Sequence, residues 1–116
     1  MPTLQKPLGR WYLLVGGGIS VDATRRPDIK SVERAWRARG FGFGVWTDPP
    51  GQVWEDYVHE ADELFMVVEG DVELEMGGRK QRLAPGEEVL IPARTTHSVR
   101  NVGATSSRWL YGYKGG

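Results

Sequence analysis

The stretch that decides the reading runs from Gly51 to Gly70, GQVWEDYVHEADELFMVVEG. Its second half, Glu63 to Glu69, is a five-residue apolar run between two acids and reads as a β-strand. Its first half carries Tyr57 and His59, two positions apart on an extended segment and therefore on one face of it. Glu63 begins the apolar strand that follows His59. A carboxylate buried without a partner costs several kcal/mol if ionised, so Glu63 needs one.

The strand character continues on both sides of this stretch. Asp71 to Met76 (DVELEM) alternates with period two, acidic on one face and apolar on the other. Gly77-Gly78 makes a two-residue hairpin turn, which sets Glu75 opposite Lys80 and Glu73 opposite Arg82. Such cross-strand pairs are worth roughly 0.2–1 kcal/mol each. Ala84-Pro85-Gly86 turns the chain again, and strands are expected at 88–91, 96–102 and 108–113. Upstream, FGFGVW (41–46) is a strand that ends in the turn Asp48-Pro49-Pro50-Gly51. The exception is residues 28–39. Asp28 is placed as an N-cap, Ile29, Val32 and Trp36 form one apolar stripe, and Gly40 is the stop, so a helix is expected that packs on a sheet.

About eight short strands with turns at close intervals imply an all-β antiparallel sandwich or barrel. The 116 residues suffice for one domain. Residues 1–18 are read as an arm with a short strand at Trp11–Val15, and residues 19–116 as a single barrel domain that includes the helix. Gly16-Gly17-Gly18 fits no phosphate-loop spacing and reads as a turn.

Composition removes several classes of function. There is no cysteine, which excludes disulfides and thiolate metal sites. No apolar run reaches transmembrane length, and Trp11–Val15 is too short for a signal sequence, so a cytoplasmic location is expected. The formal net charge is zero. Lys and Arg outnumber Asp and Glu eight to four in residues 1–50, and the ratio reverses to seven against eleven beyond. Arg34, Arg37 and Arg39 make a solvated helix face, not the basic stripe that nucleic acid requires.

The residues left for chemistry are His59, Glu63 and His97, the last on a separate strand. Two imidazoles and one carboxylate converging inside a barrel suit a divalent transition metal, and with open positions they match the non-haem iron arrangement. From spacing alone, a His beside an acid is more often a surface pair.

The wider pattern resembles the cupin family. Gly51-x5-Tyr57-x-His59-x3-Glu63-x6-Gly70 resembles the first cupin motif, G-x5-H-x-H-x3,4-E-x6-G. Gly86-x5-Pro92-x-Arg94-x2-His97-x3-Asn101 resembles the second, G-x5-P-x-G-x2-H-x3-N. Fifteen residues separate the two, like the compact spacing of small bacterial cupins. The resemblance implies a cupin-type antiparallel jelly-roll β-barrel with a short N-terminal helix. It also implies a homodimer, with residues 1–18 contributing at the interface, and a bound Fe, Mn, Ni or Zn ion. Neither membrane nor nucleic acid is expected as a partner.

Two positions depart from the family pattern. Arg94 replaces a glycine, which implies either a different turn or a cation at the rim. Tyr57 replaces the first histidine. Three readings follow for it. Tyr57 stands beside a metal held by His59, Glu63 and His97, as hydrogen-bond donor or general acid/base; or it is itself a phenolate ligand; or the metal has been lost and the barrel binds by shape. Trp46 and Trp54 are placed at the mouth, and Glu55 is not counted as a ligand. The expected function is a metal-dependent cupin that binds or transforms a small polar organic molecule by oxygenase- or isomerase-type chemistry. The alternative is a non-catalytic metabolite-binding or sensor cupin, with or without metal. A sugar-nucleotide epimerase would need a longer chain.

Overall fold

The computed structural model describes residues 26–116, so the expected strand at 11–15 and the glycine turn after it lie outside the described residues. Helix α1 (Ile29–Ala38) is followed by β1 (Gly44–Asp48), β2 (Val53–Tyr57), β3 (Glu63–Glu69) and β4 (Val72–Met76). Then come β5 (Arg79–Leu83), β6 (Glu88–Ile91), β7 (His97–Asn101) and β8 (Ser107–Tyr113). They form two four-stranded sheets, ordered β1-β8-β3-β6 and β2-β7-β4-β5, with every pairing antiparallel. This is the jelly-roll arrangement expected.

Alternate residues of facing strands pack between the two sheets. Phe65 and Val67 of β3 meet Val72, Leu74 and Met76 of β4 and Val99 of β7. The other face of β3, Leu64, Met66 and Val68, packs under α1 against Trp36, Phe41 and Leu110. β3 is thus apolar throughout because both of its faces are buried, and α1 is the cover for the outer one. Trp36 is 1% exposed. Its Nε1–H donates to Glu88 Oε1 at 3.0 Å, and Arg39 forks onto the same carboxylate at 3.1 and 3.0 Å. Arg37 pairs with Glu33 at 2.9 Å. These helix arginines are therefore engaged by local carboxylates.

The expected helix ends hold. Asp28 occupies the N-cap and accepts the Ser31 hydroxyl at 2.7 Å. At the other end Gly40 has φ +89°, Gly40 N–H donates to Arg37 O and Phe41 N–H to Trp36 O, each at 3.0 Å. This paired closure needs a left-handed residue, which glycine supplies without strain.

The β4–β5 register is the expected one, with Glu75 opposite Lys80 and Glu73 opposite Arg82. The charges pair differently. Arg82 turns to Asp71 at 3.0 Å, while Arg100 of β7 takes Glu73 at 2.9 Å, Glu75 at 2.7 Å and Glu55 at 2.9 Å. The cause is that β4 also pairs with β7, which puts Arg100 directly opposite Glu73.

Replacing Trp36 by alanine removes the main anchor of α1 and one hydrogen bond to Glu88. The expected loss is about 3–5 kcal/mol, measured by urea denaturation. A loss below about 1 kcal/mol would show that α1 contributes little to covering β3.

Candidate metal centre

Strict alternation along β2 would put Trp54 and Tyr57 on opposite faces. A bulge between them, with Asp56 at φ +52° and its N–H donating to Ser98 Oγ at 2.9 Å, turns both toward the lumen. Glu55 points outward to Arg100, consistent with its exclusion as a ligand. After β2 the chain leaves the sheet, and His59 sits on the connecting loop. That loop is tied to the one before β7: Arg94 N–H donates to His59 O at 2.7 Å, and Ala93 N–H to Asp62 Oδ1 at 2.8 Å. The two sequence motifs are thus joined through their loops.

The structure brings His59, Glu63 and His97 together, with one donor atom from each within 4.8 Å of the others. Glu63 Oε1 lies 3.5 Å from His59 Nε2 and 3.6 Å from His97 Nε2. His97 Nδ1 is 2.9 Å from Thr95 O, a contact that makes Nδ1 the protonated nitrogen and leaves the Nε2 lone pair facing Glu63. Glu63 is 4% exposed, and its Oε1 has no hydrogen-bond partner among the described residues. Ligands held at about 2.1 Å on one ion with tetrahedral angles lie about 3.4 Å apart. The donor set and its spacing therefore fit a divalent metal, and the orphaned oxygen is the atom that such an ion would satisfy.

Burial governs the protonation of this cluster. It pushes the Glu63 carboxyl up to about 8. His59 is lowered, first by burial and then by the nearby His97. Tyr113 is pushed up to about 12, by burial first and then by Glu63 and Tyr111. Tyr113 is the neighbour that sequence reasoning missed. It ends β8 directly opposite Glu63, and its hydroxyl lies 3.3 Å from His59 Nε2. Tyr57 is the cross-strand partner of His97 but stands at the rim, 45% exposed, with its ring 6.4 Å from that of His59.

These groups close one end of a cavity of about 260 Å³. Its other wall is aromatic and includes Trp46 and Trp54, as expected, and also Trp109 and Tyr111. Behind the tryptophans lies Asp48, 2% exposed. Its carboxylate accepts the indole N–H of Trp46 at 2.8 Å, of Trp54 at 3.1 and 3.2 Å, and of Trp109 at 3.2 Å. The sequence carries no signal for this beyond a turn at 48–51. Asn101 is buried as well, donating to Pro49 O at 3.0 Å and Thr105 O at 2.9 Å, so the last residue of the second motif ties two loops together.

The chain matches the cupin domain over residues 44–113 and belongs to the cupin family. Among solved structures it is similar to TT1209 from Thermus thermophilus, at 29% identity and TM-score 0.58, covering 64% of this chain and 72% of that one. It is also similar to a cupin 2 domain-containing protein from Halorhodospira halophila, at 24% identity and TM-score 0.61, covering 66% of this chain and 53% of that one. Oxalate oxidase in complex with the substrate analogue glycolate shares the fold at 22% identity and TM-score 0.59, and this chain spans 42% of its length and is itself covered over 66%. No curated protein matches the sequence. Among the described residues no helix is long and apolar enough to cross a membrane.

The raised Glu63 predicts a pH dependence for the metal-free protein. Below about pH 4.5 the carboxyl is protonated whether the chain is folded or not. Between there and about 8 the unfolded chain ionises while the folded one keeps its proton, so stability falls as pH rises and levels off above 8. His59 works in the opposite sense, but only below its ordinary value of 6.5. Between pH 6.5 and 8, denaturation in EDTA is expected to show a stability loss approaching about 1.4 kcal/mol per pH unit. Glu63→Gln is expected to flatten it, and an equal slope in that variant would assign the effect elsewhere.

Proposed function

We propose that this cupin holds a divalent transition metal through His59, Glu63 and His97 and acts on, or binds, a small organic molecule in the adjoining cavity. The observation that carries the proposal is the buried Glu63 Oε1, without a hydrogen-bond partner among the described residues and within 3.6 Å of two imidazole nitrogens. Nothing in barrel packing favours that arrangement, because an apolar residue at the head of β3 would cost less. The metal, Fe, Mn, Ni or Zn, would supply Lewis acidity to substrate oxygens, the basis of oxygenase- or isomerase-type chemistry.

The chain's own groups do the rest. His97 is held in the ligating tautomer by Thr95 O. Tyr113 sits beside His59, where its hydroxyl can donate to a ligand atom near the cluster. Tyr57, at the rim, positions or protonates the substrate on entry, and can serve as a further ligand only by swinging inward. Phe65 and the tryptophans give the lumen an apolar wall. The reading includes a homodimer and a cytoplasmic location. The rival, a metabolite-binding module, draws on the same aromatic cavity, which needs no metal to exist.

Metal content measured by mass spectrometry on purified protein separates these readings. One equivalent of metal is expected in the wild type, with a loss of at least tenfold in occupancy in His97→Ala and Glu63→Gln. A wild type that is metal-free and takes up none of Fe(II), Mn(II), Ni(II) or Zn(II) would leave the binding module as the function.

A further inference from the structure

The cavity mouth is framed by an unbroken circuit of aromatic side chains. From Tyr57 the ring centroids step to Trp54 (5.9 Å), Trp46 (6.1 Å) and Trp109 (6.5 Å). They continue to Tyr111 (5.9 Å) and Tyr113 (6.0 Å). The circuit closes through His59, 4.9 Å from Tyr113 and 6.4 Å from Tyr57. Most neighbours meet edge to face, at interplanar angles of 61° to 76°, one of the two arrangements that aromatic pairs prefer.

Electrostatics give this frame a sign. All three indole N–H groups of the circuit are turned onto the buried Asp48 carboxylate. Each indole N–H is thus taken up by Asp48 and is not offered to a ligand in the lumen. The carboxylate adds a buried negative charge immediately behind them. No Lys or Arg among the described residues lines the cavity. At the tryptophan end, away from His59, Glu63 and His97, an anionic group would find no basic side chain in the wall, whereas a weakly hydrated cation would be surrounded by aromatic rings with a carboxylate behind three of them. That is the setting in which cation–π attraction is strongest.

We propose that the aromatic mouth of this barrel, with Asp48 behind it, is a cage for an alkylated onium group, so that the ligand is a small organic cation. The inference rests on the reading of the lumen as a small-molecule site, but not on the metal. A ligand that also carries an oxygen function would reach the His59, Glu63 and His97 end with it, while the onium stays among the tryptophans. A primary ammonium is disfavoured, because the mouth offers its hydrogens few acceptors and dehydrating it is costly, whereas methyl groups on the cation spread the charge and suit apolar walls.

The test compares choline with 3,3-dimethylbutan-1-ol, a neutral molecule of nearly the same shape, by calorimetry and tryptophan fluorescence on the full chain. Choline is expected to bind at least tenfold more tightly, with quenching of the mouth tryptophans. Trp46→Leu, at a position 42% exposed and so tolerant of change, is expected to weaken choline at least fivefold. Asp48→Asn should weaken choline and leave the alcohol unchanged; if that variant does not fold, the Trp46 variant and the isostere comparison still decide. Equal binding of the two probes, or choline binding that ignores Trp46→Leu, would overturn the cage. Absence of binding by either probe would overturn it too. EDTA-treated protein should keep the discrimination, so failure of the metal site and failure of the cage are read separately.

Discussion

Burial of β3 on both faces is the constraint from which the rest of the structure follows. A strand flanked by β8 and β6 and covered above and below has no polar face to offer, and its apolar run from Leu64 to Val68 matches that. Its outer face requires α1, and its inner face requires the second sheet. The same alternation that sends Phe65 and Val67 inward sends Glu63 inward too. The carboxylate is therefore carried into the lumen by the geometry of the best-buried strand in the fold, and it cannot turn to solvent without dragging that strand out of register.

Glu63 thus carries a cost to stability at the centre of the candidate site. A carboxyl pushed up to about 8 is neutral through most of the physiological range when no metal is present. A metal ion bound there would require the anion, so its binding would release a proton. The site is prepared on the other side by His97, whose tautomer is fixed by a backbone carbonyl. Arg100 shows the contrast on the outer surface. There, three carboxylates of β2 and β4 share one guanidinium of β7, and the charges meet directly.

Much of this was legible in the sequence because it rests on local pattern. The period-two alternation of Asp71 to Met76, the Gly77-Gly78 turn and the two spaced motifs gave the strands, the hairpin register and the grouping of His59, Glu63 and His97. What was not legible rests on tertiary geometry. The bulge at Asp56 reverses which residues of β2 face inward, and nothing in VWEDY marks it. Asp48 reads as the start of a Pro-Pro turn, yet it gathers indoles from β1, β2 and β8, the last of them 61 residues away in the chain. Tyr113 becomes a neighbour of His59 only through the β3–β8 pairing. The ion pairs of β4 went to Arg100 instead of β5 because a strand has two neighbours, and a hairpin shows only one.

Arg94 illustrates how the two motifs depend on each other. It adopts the left-handed conformation, φ +58°, in which glycine is the favoured residue. Such a conformation costs a non-glycine residue on the order of 1 kcal/mol. It persists because the Arg94 N–H, directed by that conformation, makes the 2.7 Å hydrogen bond to the carbonyl of His59. The guanidinium itself lies outside, 4.0 Å from Glu60, and brings no positive charge into the lumen. The strained backbone thus serves the position of His59, three residues before His97 enters β7. The local strain at Arg94 and the buried carboxyl at Glu63 are two consequences of one requirement, which is to hold two loops and one strand end around the same small volume.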